Sequence, residues 1–232
     1  MSPQPLSQYL SKFMVYLAEQ QGDGAQTLPS LTDISAELGV SVSTLREELQ
    51  VARALGLVEV RPRTGIKCQA YRFKPAVLKS LAYAVSVDRE MFRHYSELRN
   101  HIEASYWYQA VSGLTAGDIE ELQDVIRRGL QKLESEPINI PHLEHRQLHL
   151  IIYRRLDNPF VQGILESYWD IYEAVGLSVY EDRRYLDRVW TYHRQMVAAI
   201  AQQDFLSGYQ ALIAHMDLLF QREKQNISNP FE

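Results

Sequence analysis

A chain of 232 residues, 46% hydrophobic and 23% charged, carries apolar material for real cores, and its length suits two domains of roughly 70 and 150 residues. One cysteine, Cys68, excludes a disulfide framework and any paired-cysteine zinc site. With no run of ~18 apolar residues and no basic-then-apolar leader, the expectation is a cytoplasmic protein that neither spans nor anchors to a membrane.

The net charge of −5 argues against nucleic acid only as a whole-chain sum. Residues 1–75 hold eight Lys or Arg against seven Asp or Glu, and the remainder holds 16 against 22. Arg61, Arg63, Lys67, Arg72 and Lys74 fall within 14 residues that contain no acid. Phosphate contact depends on such a local stripe.

In chain order, apolar residues at 6, 9, 10, 13, 14 and 17 predict a helix over 6–20, ended by Gly-Asp-Gly at 22–24. A second helix follows Leu28-Pro29-Ser30, with Ile34 and Leu38 at i, i+4 and Gly39 as its stop. Ser41 is an N-cap for a third, VSTLREELQVARALG, which carries Leu45, Leu49, Ala52 and Leu55 on one face. Helix, short turn and helix make a helix-turn-helix. A strand over 57–61, a turn at Pro62-Arg63-Thr64-Gly65 and a return strand over Ile66–Tyr71 then predict a wing with cations at its tip.

The stretch LPSLTDISAELGVSVSTLREELQVARALGLVEVRPRTGIKC resembles, without a gap, the DNA-binding domain of the GntR family of transcriptional regulators. The resemblance implies that the start of the third helix enters the major groove and that the wing touches the minor groove of operator DNA. Carried over position by position, the DNA-facing candidates are Ser43, Thr44, Arg46, Arg63 and Gly65, with Arg61 and Lys67 joining them from the basic wing. Two positions depart from the family pattern, because Thr32 and Val42 stand where the family has arginines. Arginine paired to guanine is the commonest specific contact, worth ~1–3 kcal/mol of discrimination, so the loss of two such donors implies either an operator that differs from the common consensus or weaker binding. Arg46 has a bland alternative, pairing with Glu47 or Glu48 on a solvated face.

Beyond residue 75 strand signals vanish. Helical patterns run over 88–113, 115–135, 141–156, 158–180, 183–203 and 204–225, and Thr115 with Asp118 forms a variant capping box. The fold class expected is mainly α. It comprises a winged helix-turn-helix over 1–75, a linker and lead-in helix over 76–88, and an all-α antiparallel bundle over 89–228.

This half is similar to the FCD domain, the ligand-binding domain of the FadR subfamily of GntR regulators. The resemblance is carried by Glu97-Leu98-Arg99 with Glu103, by His145…His149 followed by Asp157-Asn158-Pro159, and by His193…Ala199-Ile200…Asp204…His215. His145 and His149, at i, i+4, point from one helix face and can grip one ion. His193 and His215 lie on later helices, and a bundle core brings such side chains together. The family's site has Asp, His, His and His, with the Asp where His145 stands; an all-histidine set favours zinc or nickel over harder ions.

The resemblance implies that Arg99 faces a cavity and holds an effector carboxylate, whereas the alternative is a surface pair with Glu103. One or two of the many tyrosines and tryptophans of this half line that pocket. The function expected is a homodimeric, non-enzymatic DNA-binding regulator whose operator affinity follows a small carboxylate bound near a divalent transition metal. A metal sensor without organic effector is the alternative. A metal-dependent enzyme is the poorer one, since no HExxH or paired-carboxylate motif supplies a base.

Overall fold

In the computed structural model, residues 6–22, 27–63, 65–176 and 182–226 are described, apart from the side chains of Ser7 and of 219–226. The chain divides into two compact units, Met1–Lys79 and Ser80–Glu232.

The first unit opens with a short 3-10 turn, Leu6–Tyr9, followed by α1 (Lys12–Gly22). The single helix expected over 6–20 is therefore two pieces. Ser11 Oγ accepts from Met14 N at 3.2 Å and restarts the helix, a local bond that hydrophobic periodicity does not reveal. α2 (Leu31–Leu38) and α3 (Val42–Ala54) form the helix-turn-helix. Ser30 and Ser41 cap them, accepting from Asp33 N at 3.2 Å and Thr44 N at 3.1 Å. Gly39 takes φ 63° between them, the left-handed turn that glycine adopts without penalty.

β1 (Val58–Arg61) and β2 (Gly65–Cys68) pair antiparallel, with Glu59 opposite Lys67 and Val60 opposite Ile66. The return strand, Gly65–Cys68, ends short of the 71 expected, and beyond it Gln69 N still donates to Leu57 O at 2.9 Å. Val58 and Ile66 turn inward onto Phe13, Ile34, Leu45 and Ala52, so the opposite face of the ribbon, with Glu59, Arg61 and Lys67, is the polar one. Thr64 of the wing and Asp23-Gly24 of the first turn lie outside the described residues.

α4 (Lys74–Val87) runs across the division at Lys79 and Ser80. The second unit continues with α5 (Glu90–Ser112), α6 (Ala116–Glu134), α7 (His142–Tyr153), α8 (Pro159–Ala174), α9 (Arg183–Ala201) and α10 (Phe205–Asn226). The capping box forms as read, with Thr115 N donating to Asp118 Oδ2 at 2.9 Å and Asp118 N to Thr115 Oγ1 at 3.3 Å. Asn158 and Asp182 cap α8 and α9. α8 ends at Ala174, short of the expected 180, and Gly176 at φ 82° follows it; residues 177–180 and 227–228 of the expected spans lie outside the described residues.

α9 packs against α10 and α6, and α5 against α7, α8 and α10, around fully buried Trp107, Leu122, Leu148 and Met196. Among the described residues no helix is long and apolar enough to cross a membrane. Gly129 of α6 lets the Trp190 ring of α9 lie against its backbone, and a Cβ there would come within 2.1 Å of that ring.

Alanine is the better helix former by ~1 kcal/mol, but overpacking against Trp190 costs ~1–3 kcal/mol, so Gly129→Ala lowers Tm in a thermal melt; a raised Tm overturns the close approach. Asp118 is held well below the ordinary carboxylate value of 3.8, first by its hydrogen bond from Arg155, with Thr115 and Arg154 assisting. The folded value is depressed, so its contribution is present above pH 3.8 and is lost as pH falls further. Asp118→Asn is therefore less stable than wild type at neutral pH, and urea titrations show the two converging as the pH drops below that value.

Candidate functional site

Four imidazoles converge in the second unit. α7 presents His145 and His149 one turn apart, α9 presents His193 and α10 presents His215. His215 Nε2 stands 3.2 Å from His149 Nε2 and 3.3 Å from His193 Nε2, and ligand-capable nitrogens of all four rings lie within 4.8 Å of one another. The His145 ring centroid is 4.6 Å from that of His193 and 4.7 Å from Trp169, edge on.

A cation with ~2.1 Å bonds to nitrogen sets neighbouring ligand nitrogens ~3.0–3.4 Å apart, so the observed spacing fits such an ion. Burial holds His149, His193 and His215 well below the ordinary imidazole value. The Arg99 charge adds to the effect at all three, behind the neighbouring imidazoles at His193 and His215. Neutral rings with free lone pairs are the form that binds metal. Nδ1 of His193 and Nδ1 of His215 are buried without a hydrogen-bond partner, a cost that a cluster kept for stability alone would not carry.

Arg99 of α5 is 3% exposed, so it lies inside the bundle and not on the surface. It does pair with Glu103, at 2.9 Å, but as a buried ion pair, and its guanidinium stacks 4.7 Å from the Tyr168 ring centroid. Burial pushes the Glu103 carboxyl up to about 7 against the lowering pull of Arg99. A cavity of about 10 Å³ sits between Arg99, Asn100, His145, Trp169 and His215. Three buried donors at it have no acceptor: Arg99 Nε, Asn100 Nδ2 and Trp169 Nε1.

Of the aromatics, Tyr168, Trp169, Tyr172 and Tyr185 line this cavity, whereas Tyr180 lies outside the described residues. The sequence reading missed Asn100 and the inward role of Glu103. Asn100 follows Arg99 directly, a relation that periodicity does not mark. Glu103 at i+4 from Arg99 was visible, but its burial was not. His94 and His101 are exposed and His142 is half-buried, none of them in the cluster.

In the first unit, Ser43, Thr44, Arg46, Arg61, Arg63, Gly65 and Lys67 are all exposed. Thr44 is partly committed, its Oγ1 2.8 Å from Ser41 Oγ, and Arg61 bonds Glu59 at 2.6 Å. The alternative in which Arg46 pairs with a neighbouring acid is not seen among the described residues, where Glu48 instead takes a hydrogen bond from Ser11. Arg63 holds φ 69° at the wing turn. Gln50, one turn beyond Arg46, is likewise exposed on α3. Of the two departures, Thr32 is exposed and Val42 half-buried.

The FCD domain model matches residues 95–218, more than half of the chain. The HTH-type transcriptional regulator LutR of Bacillus subtilis (strain 168) is 20% identical over 194 residues, covering 82% of this chain and 87% of that protein. Among solved structures, Streptococcus agalactiae GntR superposes with a TM-score of 0.67 at 15% identity, covering 94% of this chain and 100% of that one. Lar, described as controlling the expression of the Listeria monocytogenes agr system, superposes with a TM-score of 0.52 at 14% identity, over 97% and 99%. The match over residues 95–218 places this chain in the FCD domain family, and the proteins that it is similar to in sequence and fold are GntR-type transcriptional regulators.

Proposed function

We propose that this regulator binds two-fold operator DNA as a homodimer through α3 and the β1–β2 wing, and that a small carboxylate held beside a histidine-bound zinc or nickel ion sets its affinity. The observation that carries the ligand half is the approach of His149 Nε2 and His193 Nε2 to within 3.3 Å of His215 Nε2, next to three buried donors that lack acceptors. The four histidines would hold the ion, which supplies a positive charge that draws an anion into the site. Arg99 Nε, Asn100 Nδ2 and Trp169 Nε1 are the groups to meet its oxygens, because unmet buried donors cost ~1–3 kcal/mol each.

For the DNA half, Arg46, Arg63 and Lys67 are exposed and have no ion pair among the described residues, so their donors are available to phosphate or base edges. Ser43, Thr44, Arg61 and Gly65 flank them on the same two elements. Two copies would present two recognition helices to half-sites related by the operator's two-fold axis. Coupling of ~1–3 kcal/mol between the ligand and DNA would suffice for regulation.

One observation favours a second reading, sensing of the ion itself. The cavity of about 10 Å³ holds a single water or ion, so an organic acid enters only if side chains give way. Calorimetry with candidate acids, with and without chelator, decides: heat that requires metal supports the carboxylate reading, and operator release by metal alone supports the sensor.

His149→Ala and His193→Ala each lose bound metal, measured on protein purified without added ions; unchanged content sinks the site. Arg46→Ala weakens operator binding by ~1–3 kcal/mol in a salt-titrated shift assay with the fold intact, and retained affinity refutes its role. Arg99→Ala blunts the response to the acid while leaving DNA affinity as it was; a normal response removes Arg99 from the pocket.

A further inference from the structure

Glu103 is a fully buried carboxylate that neither DNA binding nor effector capture has so far used. Its two oxygens face different partners. Oε1 lies 2.9 Å from Arg99 Nη2, and Oε2 lies 3.1 Å from His149 Nδ1. Arg99 Nη2 is itself 2.9 Å from the same His149 Nδ1.

A guanidinium only donates, so its contact is a hydrogen bond only when Nδ1 carries no proton. An ionised carboxylate only accepts, so for that form of Glu103 the contact is a hydrogen bond only when Nδ1 carries the proton. The two neighbours thus favour opposite tautomers of one ring. With Nδ1 bare, the proton sits on Nε2 and points at the His215 nitrogen 3.2 Å away, which blocks coordination. With Nδ1–H given to Glu103, the Nε2 lone pair faces the other imidazoles and is open to a cation.

We propose that Glu103 is a positioning residue for the metal site: it selects the Nδ1–H tautomer of His149 against the pull of Arg99 and aims Nε2 at the ion. The proposal rests on the metal reading above. A carboxylate behind a ligand histidine fixes the ring's orientation and raises the basicity of the coordinating nitrogen. His193 and His215 have no such partner on Nδ1, so among these three rings the orienting contact is concentrated on His149. A second consequence is that Glu103 divides its charge between Arg99 and His149. It therefore ties the cation-binding and anion-binding sides of the cavity to one side chain.

The test uses the full-length protein, zinc alone as the probe and the isosteric Glu103→Gln. Calorimetric zinc affinity falls roughly ten- to hundredfold, and ¹⁵N-histidine NMR of the metal-free protein shows His149 changing from Nδ1–H to Nε2–H. A role in stability alone would lower Tm without moving the tautomer. Wild-type zinc affinity in the variant, or an unchanged tautomer, overturns the proposal. If the variant does not fold, the metal-free wild type decides, since an Nε2–H His149 there overturns it equally. If the wild type binds no zinc yet shows Nδ1–H, the metal reading has failed while the pairing of Glu103 with His149 stands.

Discussion

Three neutral imidazoles cannot all turn a lone pair toward one point in a dry core unless something positive or protic stands there. His149, His193 and His215 come close to doing so, with Nε2 atoms 3.2 and 3.3 Å apart across His215. The rest of the second unit is arranged around that constraint. α7, α9 and α10 must hold three helix faces at a fixed approach, and the bundle around them buries all three rings. The same burial that depresses the imidazoles raises Glu103, so one low-dielectric environment sets both signs of charge.

The two units solve opposite electrostatic problems. In the first, Arg46, Arg63 and Lys67 stand in water on α3 and on the wing, where their free charges cost little and remain available to an anionic polymer. In the second, Arg99 is buried and is tolerated because Glu103 and the aromatic faces of Tyr168 and Trp169 surround it.

Much of the fold was legible. The serine cap at 41 and the Thr115–Asp118 box arise from residues within a few positions of one another, and both form where the sequence predicts them. Errors fell at boundaries where one bond overrides a pattern. Ser11 restarts a helix that periodicity runs straight through, and α8 stops at Ala174 although the residues beyond keep a helical look. The site was legible in part. The His145 and His149 pair announces itself by spacing, whereas Asn100 and Trp169 carry no signal until α5 and α8 are seen to face one cavity.

The sequence by itself determined the local choices: which segments are helices, where they are capped, that a basic wing follows a recognition helix, and that two histidines share one helix face. These depend on interactions within about two turns of chain, and such interactions are written in residue order. Only the tertiary structure decided how closely His193 and His215 approach that pair, that Arg99 and Glu103 form a buried ion pair, and that Glu103 reaches His149 from 46 positions away. Those contacts depend on how α5, α7, α9 and α10 pack, and helix packing is settled by the summed shape of many apolar side chains, of which no single spacing keeps a record.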